Sequence, residues 1–532
     1  MNRVILSLVF LVCLTGAAHA AVSEKPNLIV IMADDLGYAD VGFNGCKDIP
    51  TPNIDKIAIS GVRCTSGYVT YSVCSPSRAG FITGRYPQRF GYERNAQYKP
   101  DDPNMGLPLD EVTIARSLGK VGYTSMVIGK WHLGAHPSLH PLNRGFDEFY
   151  GHLGGGHRYM PEDLTLRDSY KAKDEGESYI TWILRGHEPV KPRKYLTDEF
   201  SDEAVSFVKR HEDENFFLFL SYNAPHTPLQ ATEKYLSRFP DIKDKKRKTY
   251  AAMVSAVDDG VGMLLDKLDE LKLTEDTIVF FLSDNGGPEQ KNASDNGVLR
   301  GGKSDVWEGG FRVPFAVQWP GKLPAGIDYD KPVSSLDIMA TITELAGASV
   351  DPKRPLDGVN LVPYLTGKNT KTPHNAIYLR KFDQNRYAVR SGDDKLIIPF
   401  KGAKPQLYNL DTDIGETNNI AAQYPEKIQR LDALRLQWDA ELVEPRFLGL
   451  IHLPSWQKKI KRNTQARADW FNSMDKNADG RLTQTEWLKA GKRSANKKGK
   501  PYNESEMKTE FSDYDVNGDG VIVIDEFQAS VK

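Results

Sequence analysis

The chain has 532 residues, with 69 Lys and Arg against 71 Asp and Glu and a formal net charge of −2. That balance makes no global case for nucleic acid or a membrane surface as partner, so any anion must be recognised locally. A hydrophobic content of 40% suffices for a large core, and the length corresponds to several domains of about 150 residues each.

Residues 1–20, MNRVILSLVFLVCLTGAAHA, combine a basic start at Arg3, an apolar run over 4–14 and Ala18-His19-Ala20 before a cut. This is the pattern of a secretory signal peptide cleaved after Ala20, which makes the mature chain secreted or periplasmic. The run is shorter than the about 20 apolar residues of a membrane span, and no later stretch reaches that length. Cys13 admits a lipoprotein reading, against which Val12 stands where such signals want a small residue. Cys46, Cys64 and Cys74 survive cleavage. In an oxidising compartment Cys46 and Cys64 could pair and leave Cys74 single.

Residues 28–32 form a continuous apolar run that ends at Asp34-Asp35, as expected of a parallel strand buried on both faces. The same design recurs at 122–134, ending in Lys130 and His132, at 215–226, ending in His226, and at 277–285, ending in Asp284-Asn285. Helical patterns over 111–119, 200–211 and 247–272 fill the intervals. The alternation predicts an α/β fold, a mixed and mainly parallel sheet sandwiched by helices. In such sheets ligands bind beyond the carboxyl ends of the strands. Residues 152–195, rich in Gly, charge and aromatics with weak periodicity, read as a substrate-side insertion.

Between the first two runs lies YSVCSPSRAGFITGRYP, residues 71–87. Pro76 suits a first helical turn, so Cys74 sits where a helix begins and where free N–H groups favour anions. Arg78 follows four residues later, one turn along the same face. Cys-x-Pro-Ser-Arg followed by Ile-Thr-Gly-Arg strongly resembles the signature of the type I sulfatases of the alkaline-phosphatase superfamily. GVLRGGKSDVWEGG from 297 and LYNLDTDIGETNNIA from 407 resemble further blocks of that family, so the likeness spans residues 26–440.

The resemblance implies that a maturase oxidises Cys74 to formylglycine, whose hydrate attacks sulfur, expels the alcohol and then releases sulfate. It implies that Asp34, Asp35, Asp284 and Asn285, with residue 74, hold calcium, magnesium being the alternative for such hard oxygen donors. Arg78, Lys130 and Lys303 would bind the oxyanions, His226 would protonate the leaving oxygen, and His132 would orient the nucleophile, with Asp284 a candidate base. Lys303 would also touch the sulfate as a substrate residue, and His157 would contact the sugar.

Residues 351–445 change character to short segments that predict a smaller antiparallel α+β subdomain, closed by a helix at 425–441. A linker at 446–463, basic at Lys458, Lys459, Lys461 and Arg462, leads to 464–532. DKNADGRLTQTE offers Asp475, Asn477, Asp479, the Arg481 carbonyl and Glu486 at calcium-loop positions, and DVNGDGVIVIDE repeats them with Asp515, Asn517, Asp519, Val521 and Glu526. This all-α unit resembles an EF-hand pair, expected to bind calcium and to stabilise the C-terminus or dock on the catalytic body.

The sequence thus points to a secreted sulfatase acting on a sulfated polysaccharide or its oligosaccharides, such as a marine galactan or a glycosaminoglycan. Two alternatives stand beside it: a phosphate or phosphonate ester hydrolase of the same superfamily, and an inactive sulfated-glycan binding protein.

Overall fold

The computed structural model describes residues 25–164, 181–448, 452, 454–498, 501–515 and 519–529. The proposed leader and Asn517 lie outside these residues. Among the described residues twelve strands frame the larger unit: β1 Asn27–Ala33, β2 Val62–Cys64, β3 Gly67–Tyr68, β4 Thr124–Lys130, β5 Glu148–His152, β6 Ile183–Arg185, β7 Glu188–Val190, β8 Phe216–Ser221, β9 Thr277–Ser283, β10 Phe315–Gln318, β11 Ile327–Tyr329 and β12 Val333–Ser334. Ten of them form one sheet in the order β11-β2-β10-β9-β1-β8-β4-β5-β6-β7.

The central run from β9 to β5 is parallel, while β10 and β6 join it antiparallel. The continuous apolar runs of β1, β8 and β9 follow from burial on both faces. Leu28, Val30 and Met32 enter one core with Phe217, Phe219 and Phe280, and Ile29 and Ile31 enter the other with Leu218, Leu220 and Phe281. Helices Cys74–Thr83 and Leu336–Leu345 contribute to the first core, and helices Leu196–Arg210 and Lys245–Glu270 to the second. The sheet is therefore sandwiched by helices, as the sequence predicts.

Several expectations need correction. Cys46, Cys64 and Cys74 are all free thiols. Cys64 belongs to the first core and Cys46 packs on the second, so the sheet separates them. The stretch read as an insertion contributes β6 and β7 to the sheet edge. The region read as a linker becomes helical at Pro454, in a helix that continues to Met474.

Strands Ile377–Lys381, Arg386–Ser391, Asp394–Ile398 and Gln406–Asn409 make the smaller antiparallel sheet, with helix Pro425–Asp439 against it. Trp438 of that helix stacks on Tyr378 with ring centroids 4.9 Å apart and meets Tyr86 of the larger unit edge-on. In the C-terminal module, Arg481–Thr483 pairs antiparallel with Val521–Val523, and Leu482 opposes Ile522. No helix among the described residues is long and apolar enough to cross a membrane.

A buried ionic hub joins the two sheets. Lys395 Nζ lies 2.8 Å from Glu308 Oε1 and 2.6 Å from Glu416 Oε1, and all three side chains are fully buried. Glu416 also accepts the Glu308 N–H at 2.7 Å, and Tyr68 donates its hydroxyl to Glu308 at 2.5 Å. Burial would raise the Glu308 carboxyl, but Lys395 and then Arg312 hold it down to about 2. Burial pushes Glu416 up to about 7. Removing the shared cation leaves two carboxylates buried without it, so Lys395→Met is expected to cost about 3–5 kcal/mol. Chemical denaturation measures this, and an unchanged midpoint would refute the hub's role.

Candidate active site

Five parallel strands end at one edge because their registers align there, and four of them deliver the site residues. Ala33 of β1 pairs with Ser283 of β9, Gly129 of β4 with Ser221 of β8, and Lys130 with His152 of β5. The residues just beyond those pairs meet: Asp34 and Asp35 after β1, Asp284 and Asn285 after β9, His132 after β4 and His226 after β8. Asp34 N–H donates to Ala224 O at 3.1 Å and Asp284 N–H to Ala33 O at 3.0 Å, so the backbone fixes both carboxylates. Asp35 adopts φ 64°, a conformation unusual for a residue with a Cβ. Its carbonyl accepts from Asn292 at 3.1 Å, which helps to hold it there.

Cys74 opens helix Cys74–Thr83 after an extended Val73, and every residue of the helix is buried. Its Sγ lies 3.5 Å from Asp34 Oδ1 and 3.1 Å from Lys303 Nζ. Lys130 Nζ lies 2.6 Å from Asp34 Oδ2, and Lys303 Nζ lies 2.7 Å from Asp35 Oδ1. Arg78 turns its guanidinium to Asp284, with Nε and Nη2 at 2.9 and 2.8 Å, and donates from Nη1 to Ser221 Oγ at 2.5 Å. Arg78, expected on an oxyanion, is thus held by a carboxylate in this structure.

The charges decide the protonation states. Burial and the neighbouring Asp284 push Asp34 up to about 7. Burial also opposes ionisation of Asp35, but Lys303 and His226 outweigh it and keep that carboxyl well below its usual range. Burial raises the Cys74 thiol to about 12 against the pull of Lys130 and Lys303. The encoded thiol is therefore protonated at neutral pH and a poor nucleophile.

His226 Nε2 lies 3.6 Å from Asp35 Oδ2, and its Nδ1 sits 2.5 Å from Thr227 O. Burial lowers its pKa to about 3, although Asp35 pulls the other way. His132 has φ 55°, its Nε2 sits 3.3 Å from Ala96 O, and its Nδ1 has no hydrogen-bond partner among the described residues. Gly155 lies against that ring: a Cβ there would come 2.8 Å from His132 Nε2. His157 behaves otherwise. It is buried at 1% exposure with Nδ1 and Nε2 each 2.9 Å from a backbone carbonyl, those of Arg158 and Thr181. This geometry does not offer the ring to a sugar.

The donor set suits a hard divalent cation. One ligand atom each of Asp34, Asp35, Cys74 and His226 lies within 4.8 Å of the others. Asn285 donates from Nδ2 to Asp35 Oδ1 at 2.7 Å, and its buried Oδ1 has no hydrogen-bond partner among the described residues. An orphaned amide oxygen beside three carboxylates is a vacancy in hydrogen bonding that a metal ion would satisfy.

The two C-terminal loops share three backbone-to-carboxylate hydrogen bonds among the described residues. Asp475 accepts the Gly480 N–H at 2.9 Å, Asp479 the Arg481 N–H at 2.9 Å, and Glu486 the Thr483 N–H at 3.0 Å. Asp515 accepts from Gly520 at 2.9 Å, Asp519 from Val521 at 3.1 Å, and Glu526 from Val523 at 3.0 Å. Gly480 and Gly520, at φ 75° and 84°, make the turn that aims these oxygens inward.

Sequence reasoning missed two groups that shape the site. Ser221, the last residue of β8, bridges Arg78 and the Lys130 carbonyl; its place at a strand end was the available signal. Lys381 of the smaller sheet donates to Ser304, beside Lys303, at 2.8 Å to Oγ. Burial and then Arg386 bring its ammonium down to about 7. Nothing local in the sequence announces that contact.

Comparison with known proteins agrees with this arrangement. The Sulfatase family model matches residues 26–348, a model of the C-terminal region of N-sulphoglucosamine sulphohydrolase matches 302–438, and an EF-hand domain pair matches 466–532. Human steryl-sulfatase (Homo sapiens) is 33% identical over 431 residues, covering 68% of this chain and 73% of its own. The N-acetylgalactosamine-6-sulfatase of Canis lupus familiaris is 34% identical over 370 residues, covering 66% and 68%. Among solved structures, Ps i-CgsB in complex with k-i-k-neocarrahexaose superposes with a TM-score of 0.75 at 39% identity, covering 84% of this chain and 99% of that one. The sulfatase PsFucS1 from Pseudoalteromonas sp. gives a TM-score of 0.66 at 28% identity, covering 78% and 90%. With more than half of its length matched by one family model, the chain belongs to the sulfatase family and carries an EF-hand pair at its C-terminal end.

Proposed function

We propose that this sulfatase is secreted or periplasmic after cleavage at Ala20, and removes sulfate from a sulfated carbohydrate with residue 74 as nucleophile. The supporting observation is the setting of Cys74, with Lys303 Nζ at 3.1 Å and Asp34 Oδ1 at 3.5 Å inside a cluster of opposite charges. A protonated, buried thiol suits neither nucleophile nor metal ligand, and its Sγ stands in for the oxygen of formylglycine. That residue, made by a maturase, supplies a hydrated aldehyde for attack on sulfur and for release of the product. Asp34, Asp35, Asp284 and Asn285 would hold a divalent cation, calcium or alternatively magnesium, which would supply Lewis acidity to the bound ester. The EF-hand loops hold calcium through Asp475, Asn477, Asp479, the Arg481 carbonyl and Glu486, and through Asp515, Asn517, Asp519, the Val521 carbonyl and Glu526.

Lys130 and Lys303 bind the ester oxygens, and Arg78 fixes Asp284 while adding positive charge from behind. His132, with Nδ1 open, orients residue 74. Burial keeps His226 neutral with its Nδ1–H on the Thr227 carbonyl, so it serves as acid for the leaving oxygen only once an anionic ester raises its affinity for a proton. The 39% identity to a protein solved with a neocarrahexaose makes a carrageenan-type galactan the first substrate to try.

Sulfate release by the matured protein from carrageenans, fucoidan, chondroitin sulfate and an aryl phosphate tests this reading. Release from one sulfated polymer, lost in Cys74→Ala, is expected, and faster turnover of the phosphate ester would overturn it. His226→Ala is expected to lower kcat by about 10²–10⁴-fold, and full turnover would remove its assignment. In calcium titration calorimetry Asp35→Ala is expected to bind one equivalent fewer than the parent chain, and equal stoichiometry would place the ion elsewhere.

A further inference from the structure

Residues 454–532 carry 15 Lys and Arg against 12 Asp and Glu, whereas residues 1–453 carry 54 against 59. Four of those 15 lie at 458–462, ahead of the EF-hand pair, and residues 464–532 alone carry 11 Lys and Arg against 12 Asp and Glu, so any basic surface on the module is a local feature. Part of its charge is organised. Lys489, Lys492, Arg493 and Asn496 recur along helix Gln484–Lys498 at steps of three and four, so they share one face. The opposite face carries Trp487, which is 1% exposed in the module's own core with Phe471, Phe511 and Phe527.

The charged face borders a groove of about 610 Å³, completed by Lys476 and Asn477 of the first loop, Met474 and Glu486. Lys476, Lys489, Lys492 and Arg493 are exposed, and none has an ion-pair partner among the described residues. Glu504, which acts on this surface, is instead paired with Lys508 at 2.8 Å. From Lys489 to Asn496 the stripe runs about 10 Å along the helix, long enough to meet more than one anionic group of a polymer.

We propose that this groove is a second binding site for sulfated polysaccharide, which tethers the polymer while the active site removes its sulfates. The inference rests on the sulfated-carbohydrate reading given above. A polyanion approaching the chain meets an excess of acid over residues 1–453, so a local basic surface is what concentrates it. The stripe fits this occupant better than others. It has no aromatic side chain on which a nucleic-acid base could stack. Its helix spends its apolar face on the module's core, leaving none to enter a lipid surface. Glu486, the one acid lining the groove, is also a proposed ligand of the first loop, where a calcium ion would offset its charge.

The test uses the full, matured chain with calcium present throughout. Binding to immobilised carrageenan and chondroitin sulfate, each beside its desulfated form, is compared for the parent, for Lys476→Glu/Lys489→Glu/Lys492→Glu/Arg493→Glu, for the milder Lys492→Gln/Arg493→Gln, and for the charge-preserving Lys489→Arg/Lys492→Arg. Charge reversal is expected to weaken binding to one sulfated polymer by about tenfold or more and flatten its salt dependence. KM for that polymer should rise, with kcat and turnover of a short sulfated oligosaccharide unchanged. The milder variant should fall between, and the Arg variant should match the parent.

Unchanged polymer affinity in both charge-removing variants would overturn the inference, as would equal binding to the desulfated polymer or tighter binding to DNA or anionic vesicles. If the variants still desulfate the polymer with the parent's KM, the tether fails and the sulfatase reading stands. If the parent neither binds nor desulfates any sulfated polymer, both fail.

Discussion

Three carboxylates and three cations share one nearly dry volume: Asp34, Asp35 and Asp284 against Arg78, Lys130 and Lys303. None could be buried alone, because an unpaired charge in such a place costs several kcal/mol. Together they are tolerable, and the rest of the larger unit can be understood as the means of bringing them together. The parallel strands end in register so that backbone hydrogen bonds fix the carboxylates, and helix Cys74–Thr83 is buried along its length so that residue 74 and Arg78 face the same point. As built from protein alone the cluster is close to neutral. Addition of a divalent cation would make it net positive, and a sulfate ester is the kind of anion such a site would take.

The smaller sheet takes part in this arrangement. The loop that carries Lys303 is gripped at Ser304 by Lys381 and at Glu308 by Lys395, both from that sheet. Lys303 can reach Asp35 and residue 74 only if its loop is held there, so the second sheet acts at the site through a loop that belongs to the first. This gives a physical reason for the buried hub, whose charges would otherwise be a poor way to join two units.

Much of the site could be read from the sequence because strand ends announce themselves: an apolar run that stops at Asp-Asp, Lys-x-His or Asp-Asn has few other uses. Calcium loops are legible for the same reason, since ligand spacing and a turn glycine are written locally. What stayed hidden depends on distant packing. Lys381 and Lys395 sit in strands of ordinary appearance, and only the assembled fold brings them to the Lys303 loop. His157 follows a run of glycines that suggests an exposed loop, yet two backbone carbonyls claim its ring. Cys46 and Cys64 are close enough in sequence to suggest a bridge, but the sheet lies between them. The helix from Pro454 was hidden by its charge, which reads equally well as a solvated connection.

The most direct measurement is a crystal structure of the matured, calcium-loaded chain with anomalous scattering to locate the metal. The expected result is a calcium peak bounded by Asp34, Asp35, Asp284 and Asn285, with residue 74 turned toward it and Lys303 displaced from Asp35. Density elsewhere, with the Lys303–Asp35 pair intact at 2.7 Å, would contradict the proposal that the buried carboxylates are a metal site.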